Sequence, residues 1–167
     1  MNSSDYKFYP ARSNILLLLV ICLFCFDGCS RERKITESEV LELMNKVEAA
    51  AKIHDPVAIT DNMSEKVEIK VTNSAPGNTQ TSRFNRDQYR NVLLQTYAGG
   101  SNYTYSRQRT LVEISPDGKT AIVMAEVLES IMVNGRLIRS ISAEVSTLGR
   151  ENGKLVIQYV ESNGMQN

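Results

Sequence analysis

The chain has 167 residues, 42% of them hydrophobic, and its 19 basic and 19 acidic side chains leave no formal net charge. That balance argues against a nucleic-acid partner, because no net field steers a polyanion, and the apolar content excludes a disordered or collagen-like chain. The length fits one domain behind a targeting segment, and a domain near this size buries about 70% of the surface its unfolded chain exposes.

The first element is a run of 12 apolar residues, Ile15 to Phe26, preceded by Lys7 and Arg12. It has the charged and apolar parts of a secretory signal and falls short of the roughly 20 residues a spanning helix needs. Phe26, Asp27, Gly28 and Cys29 follow. This stretch resembles the bacterial lipoprotein signal, in which a small residue precedes a Cys that is acylated and becomes the new first residue. The only other cysteines are Cys22 and Cys25, inside the apolar run. Removal of residues 1–28 therefore leaves one thiol and no disulfide. The resemblance implies a lipid on Cys29 and a place in the cell envelope, facing the periplasm or the outside. Ser30, next in line, is of the kind that permits passage to the outer membrane. A plain secretory signal cut elsewhere and an uncleaved short anchor are the alternatives. Residues 29–35 then form a short tether carrying Arg31, Arg33 and Lys34.

Thr36 and Glu39 have capping-box spacing, with Ile35 and Val40 as a hydrophobic staple, so a helix is expected from Glu37. Its buried stripe reads Val40, Leu43, Met44, Val47, Ala50 and Ala51. Asp55 and Pro56 stop it and start a short second helix through about Asn62. Val67, Ile69 and Val71 alternate with Glu68 and Lys70, which reads as a strand. Residues 72–83 have no apolar period and are expected as a long loop or frayed hairpin around Pro76 and Gly77, the best place for a mobile lid. Asn85 and Gln88 cap a third helix whose apolar positions are Tyr89, Val92, Leu93 and Tyr97, and Gly99 with Gly100 end it. Four strands fill the rest: about Asn102–Ile114, Thr120–Val133, Arg136–Leu148 and Lys154–Glu161. Pro116-Asp117-Gly118, Asn134-Gly135 and Asn152-Gly153 are tight-turn sequences that join them as a meander. Residues 163–167 are read as a C-terminal tail.

The expected fold class is α+β: a cone-shaped, curved antiparallel sheet packed on three helices, over residues 36–162. This order of elements, with the stretches Asn85 to Leu94, Ser115 to Met124 and Gly153 to Tyr159, resembles the nuclear-transport-factor-2-like superfamily, which includes SnoaL-like and ketosteroid-isomerase-like proteins. The resemblance implies a pocket at the wide end of the cone, used by some members for catalysis and by others for ligand binding or dimerisation. Isomerase-like members hold a carboxylate base in the first strand, near Val67 to Lys70 here. Ile69 stands where the acid belongs, and Glu68 beside it points to the opposite face, so it is read as solvated.

His54 is the only histidine, which removes any multi-histidine metal site, and its place at a helix C-terminus accounts for it structurally. Glu126 and Glu129, three apart on a strand, point to opposite faces unless a bulge intervenes. Glu129 interrupts the apolar row of Ala121, Val123, Ala125, Val127 and Ile131. It either lines a pocket or turns outward after a bulge. Tyr103, Tyr105, Arg107 and Arg109 share one face of their strand. Turned inward they offer aromatic walls and two guanidinium groups to a planar or carboxylated ligand; turned outward, the preferred reading, they are solvated or support a neighbouring surface. No G-x-S-x-G, phosphate loop or internal Cys supports nucleophilic catalysis.

The resulting expectation is a lipid-anchored, non-catalytic module that binds a small apolar or amphipathic ligand between two helices and the sheet. Tyr97, Tyr103, Tyr105 and Tyr159 are the candidate walls, with Glu129 as a candidate lining residue. The alternatives are a SnoaL-like enzyme of isomerase, cyclase or dehydratase type acting on a small cyclic substrate through Glu129 or His54, and a homodimer built on the outer sheet face. No cofactor and no metal are expected, and the partners are a membrane through Cys29, a small ligand and a second copy, with no nucleic acid.

Overall fold

The structure, a computed structural model, describes residues 33–75 and 77–166. The signal-like run, Cys29 and Ser30 lie outside the described residues, as does Pro76. Helix α1, Glu37–Lys52, opens on the expected capping box: Glu39 N–H donates to Thr36 Oγ1 at 3.4 Å, and Thr36 N–H donates to Glu39 Oε2 at 3.1 Å. Two of the helix's orphan donors are thereby satisfied, a contribution of about 1 kcal/mol. The helix buries Val40, Leu43, Met44, Ala50 and Ala51. It ends with His54 in the left-handed region, φ +58. There His54 N–H donates to Ala51 O and Asp55 N–H to Ala50 O, the pair of bonds that usually calls for glycine. Asp55 then caps α2, Pro56–Thr60, by accepting from Ala58 N–H at 2.9 Å, and α2 stops two residues short of the expected end. Helix α3, Arg86–Gly99, carries the reciprocal Asn85–Gln88 cap.

Six strands are described, two before α3 and four after it: β1 Met63–Ala75, β2 Asn78–Phe84, β3 Ser101–Ile114, β4 Thr120–Val133, β5 Arg136–Glu151 and β6 Lys154–Gln166. They form one curved sheet in the order β2-β1-β6-β5-β4-β3. The fold class is α+β, and the sheet is mixed rather than antiparallel because β1 lies parallel to β6. Asn134-Gly135 and Asn152-Gly153 make their turns with φ of +51 and +77, and of +51 and +80, the left-handed pairs a type I′ hairpin requires.

Three expectations are corrected. Of the two readings of residues 72–83 the hairpin holds and the long loop does not: β1 and β2 pair regularly from Ile69–Phe84 to Ala75–Asn78, with Thr72 and Thr81 hydroxyls 3.1 Å apart. This edge hairpin covers no core along most of its length, so its sequence has no apolar period to display. Residues 163–166 are no tail, since β6 continues between β1 and β5 to Gln166. Ile35 is no tether residue: its side chain is in the core, and its N–H donates to Gly118 O at 2.8 Å.

The apolar core sits at one end of the sheet. There Ile35, Val40, Leu43, Ala121, Val123, Leu148 and Leu155 pack together, and the chain enters beside the β3–β4 and β5–β6 turns. Arg150 fastens that entry, donating to Arg33 O at 2.8 Å and to both oxygens of Glu39 at 2.8 and 2.9 Å. The other end, toward the β4–β5 turn, is hollow.

Candidate functional site

β4 pairs with β5 without a slip from Thr120–Gly149 to Val133–Arg136. The inward parity of Ala121, Val123, Ala125 and Val127 therefore carries through to Glu129, and the bulge that an outward Glu129 requires does not occur. Glu126 lies on the outer face, 3.4 Å from Arg109, so the Glu126–Glu129 pair is not formed. The inward partner is Glu144, directly across from Ala125 on β5. Between Ile138 and Leu148, the β5 residues facing the helices are Ser140, Ser142, Glu144 and Ser146, a polar row with no counterpart in the sequence reading.

The tyrosine face of β3 is corrected from outward to inward. Tyr105 pairs opposite Glu129 and Arg107 opposite Val127, both on the inner side of β4. Arg109 leaves that face because the register shifts between Gln108 and Leu111, with Arg109 itself at φ +49. Tyr159 is also corrected. The β5–β6 register shift at Thr147–Leu148 leaves Gln158 as an extra residue, so Ile157 and Val160 both face inward. Tyr159 faces out, opposite Glu68, and donates to Glu161 at 3.0 Å. Glu68 itself is exposed, 3.7 Å from Arg83.

What remains is a cavity of about 320 Å³ between α3 and the sheet, within the range of small-molecule sites. Ile69, Val71, Phe84, Val92, Leu93 and Ile131 give its apolar walls, Tyr89, Tyr103 and Tyr105 its amphipathic ones, and Glu129, Glu144, Ser140, Ser142 and Ser162 its polar side. A narrow annex of about 50 Å³ continues toward α1 and adds Met44, Ala51 and Tyr97. Of the sequence candidates, Tyr97, Tyr103, Tyr105 and Glu129 are thus brought together and Tyr159 is not.

Within the cavity Tyr103 Oη donates a short hydrogen bond to Glu129 Oε1, and Ser140 Oγ donates to Oε2 at 3.5 Å. Tyr97 and Tyr103 meet edge to face at 5.1 Å, and His54 stacks on Tyr97 at 5.0 Å while its Nε2 donates to Tyr103 O at 3.3 Å. The rim is therefore built from α3, the start of β3 and the left-handed residue after α1. The Tyr97 hydroxyl is buried and makes no hydrogen bond of normal geometry. Burial holds the Tyr103, Tyr105 and Tyr89 phenols above their ordinary range, and it pushes Tyr97 up to about 12, with the Glu129 charge adding to it. Glu144 is raised above the carboxylate range, first by burial and further by Glu129, against the opposing effects of the Ser146 hydrogen bond and Arg107. Tyrosines in this state donate hydrogen bonds rather than ionise, and Glu144 is a protonated acid over a wider range of pH than a surface carboxyl. Among the described residues, no group of three or more His, Cys, Asp or Glu side chains is placed to hold a metal ion. None of their helices is long and apolar enough to cross a membrane.

Comparison of this architecture with solved structures finds the same fold repeatedly. A candidate scytalone dehydratase from Novosphingobium aromaticivorans superposes with a TM-score of 0.62 at 14% identity, over 78% of this chain and 85% of that one. A second protein from that organism, with a cystatin-like fold, matches over 92% and 91% with a TM-score of 0.57 and 16% identity. The fold is nuclear-transport-factor-2-like. A hexachlorocyclohexane dehydrochlorinase from Novosphingobium barchaimii shares the nuclear-transport-factor-2-like fold at 8% identity, with a TM-score of 0.60 over 76% and 84% of the two chains. No family model matches the sequence, and no curated protein does.

Proposed function

We propose that the cavity binds a small ring compound and exchanges a proton with it, Glu129 serving as base and Glu144 as acid. The observation that carries this reading is the convergence of two carboxyl groups on one ligand-sized cavity, one accepting hydrogen bonds from Tyr103 and Ser140 and the other raised above the carboxylate range by burial. Carboxyls in contrasting surroundings are the arrangement acid–base chemistry requires. Two proteins of the same fold are named for dehydration and dehydrochlorination, eliminations in which a proton leaves carbon.

The test is hydrogen exchange. A panel of cyclic ketones is incubated with the protein in deuterium oxide, and loss of the proton signal next to the carbonyl is followed by NMR. Catalysed exchange is expected, falling about a hundredfold in Glu129→Gln. Binding without exchange in any member of the panel overturns the chemistry. It leaves a binding module, a reading supported by Tyr103 already occupying the Glu129 carboxylate.

We also propose attachment to a membrane of the cell envelope through a lipid on Cys29, on the strength of the Gly28-Cys29 pair behind the apolar run. Intact mass measurement of protein extracted from bacterial membranes is expected to show a chain beginning at Cys29 and heavier by a diacylglycerol with or without a further acyl chain. An unmodified amino terminus, or one at another residue, sinks the proposal.

A further inference from the structure

We infer that the ligand of this cavity carries a positive charge, as an amine or quaternary ammonium group attached to a ring. The inference rests on the proposed binding of a small molecule in the cavity, and it adds the chemical class of that molecule.

It starts from the charges around the cavity. Among the described residues that line it, β4 contributes Glu129 and β5 contributes Glu144, while no lysine, arginine or histidine lines it from any element. The guanidinium that acts on Glu144, Arg107 on β3, is already committed. Its Nη1 donates to Met44 O at 2.8 Å, and its Nη2 donates to Asn45 Oδ1 at 3.0 Å and lies 3.3 Å from Glu48 of α1. Its side chain is 4% exposed, so it points into the α1 contact and is balanced there. His54 stands outside, stacked on the rim with its Nε2 on a backbone carbonyl. α3 faces the cavity with Tyr89, the β1–β2 hairpin with Asn73, Ser82 and apolar groups, and β6 with Ser162 and Val160. Two acids thus line a partly dry space that no basic side chain enters, with Arg107 acting on Glu144 only from behind the wall.

The remaining walls suit the same occupant. Tyr89, Tyr103 and Tyr105 offer π faces, and Tyr97 packs against Tyr103 just behind them. A cation is attracted both to such faces and to the carboxylate behind Tyr103. An anion meets hydroxyl donors beside the Glu129 carboxylate, which repels it. The carboxylated ligand that free arginines would have favoured is therefore disfavoured by Arg107's position. Entry of a cation also favours the ionised form of Glu144, which links binding to proton release.

The test uses three phenols of nearly one shape: 4-hydroxyphenyltrimethylammonium, its neutral isostere 4-tert-butylphenol and the anion 4-hydroxybenzenesulfonate. Titration calorimetry is done at pH 7.5. The ammonium compound is expected to bind about tenfold or more tighter than the neutral isostere, and the anion not to bind. The preference is expected to collapse in Glu129→Gln and to shrink in Glu144→Gln, with neutral binding retained. If Glu129→Gln fails to fold, the Glu144→Gln arm decides. Equal or tighter binding of the neutral compound or the anion, or a cation preference that neither substitution alters, overturns the inference while the cavity reading stands. Failure of all three to bind overturns both.

Discussion

Glu144 and Glu39 respond to pH in opposite directions, because burial acts on one and a guanidinium on the other. Glu39 is lowered, above all by its hydrogen bond to Arg150. Its stabilising contribution is therefore present above the ordinary carboxylate range and is lost as pH falls through the folded-state value. Glu144 is raised. Between its ordinary and its folded-state values the unfolded chain has given up a proton that the folded chain keeps, so rising pH drains stability across that interval. Thermal melts of Glu144→Gln are expected to be flat there, and the variant is expected to melt a few degrees higher than the parent at pH 8. A parallel pH profile in parent and variant contradicts the upward shift of Glu144. At this scale the sequence was a partial guide. Tyr97, Tyr103, Tyr105 and Glu129 could be picked out as candidates, whereas Glu144 sits among Ile141, Ala143 and Val145, whose apolar alternation draws attention to the wrong face.

That alternation is the notable property of β5 as an element. Between Ile138 and Leu148, which face inward, its apolar residues Ile141, Ala143 and Val145 point away from the helices, as does Leu137, with Ile141 46% and Leu137 47% exposed, while Ser142 and Ser146 are buried. β4 alternates in the usual sense, and the tight Asn134-Gly135 turn locks the two strands together. Val123→Ala, in the core, is expected to cost about 2 kcal/mol in urea unfolding. Ile141→Ser on the opposite face is expected to stay within about 1 kcal/mol despite deleting more apolar surface. Comparable losses at the two positions would mean that β5 faces the other way. The helices were legible because caps are local: Thr36 with Glu39 and Asn85 with Gln88 each fix an end within four residues. Strand facing was legible only where a turn fixes register. Val133 opposite Arg136 places Ala125 opposite Glu144 by counting alone. The Tyr103 and Tyr159 faces depend on sheet order and on an extra residue in β6, and neither leaves a mark in local composition.

At the scale of the whole domain, the closed and hollow ends lie at opposite ends of β4, a strand of 14 residues that is about 45 Å long if fully extended. Arg150 gathers Arg33, Lys34 and Glu39 at the closed end, and Ile35 locks onto Gly118 beside them. The sequence showed the cap at Thr36 but not this fastening, which joins residues more than a hundred positions apart. Chain reach is the quantity it controls. With Arg33 fixed, four residue steps back to Cys29 cover at most about 14 Å. Under the proposed attachment, the domain is pinned by the end that has no opening. A guest molecule then arrives through water from the far side, so what this protein collects would be a dissolved compound in transit and not one drawn sideways out of the lipid.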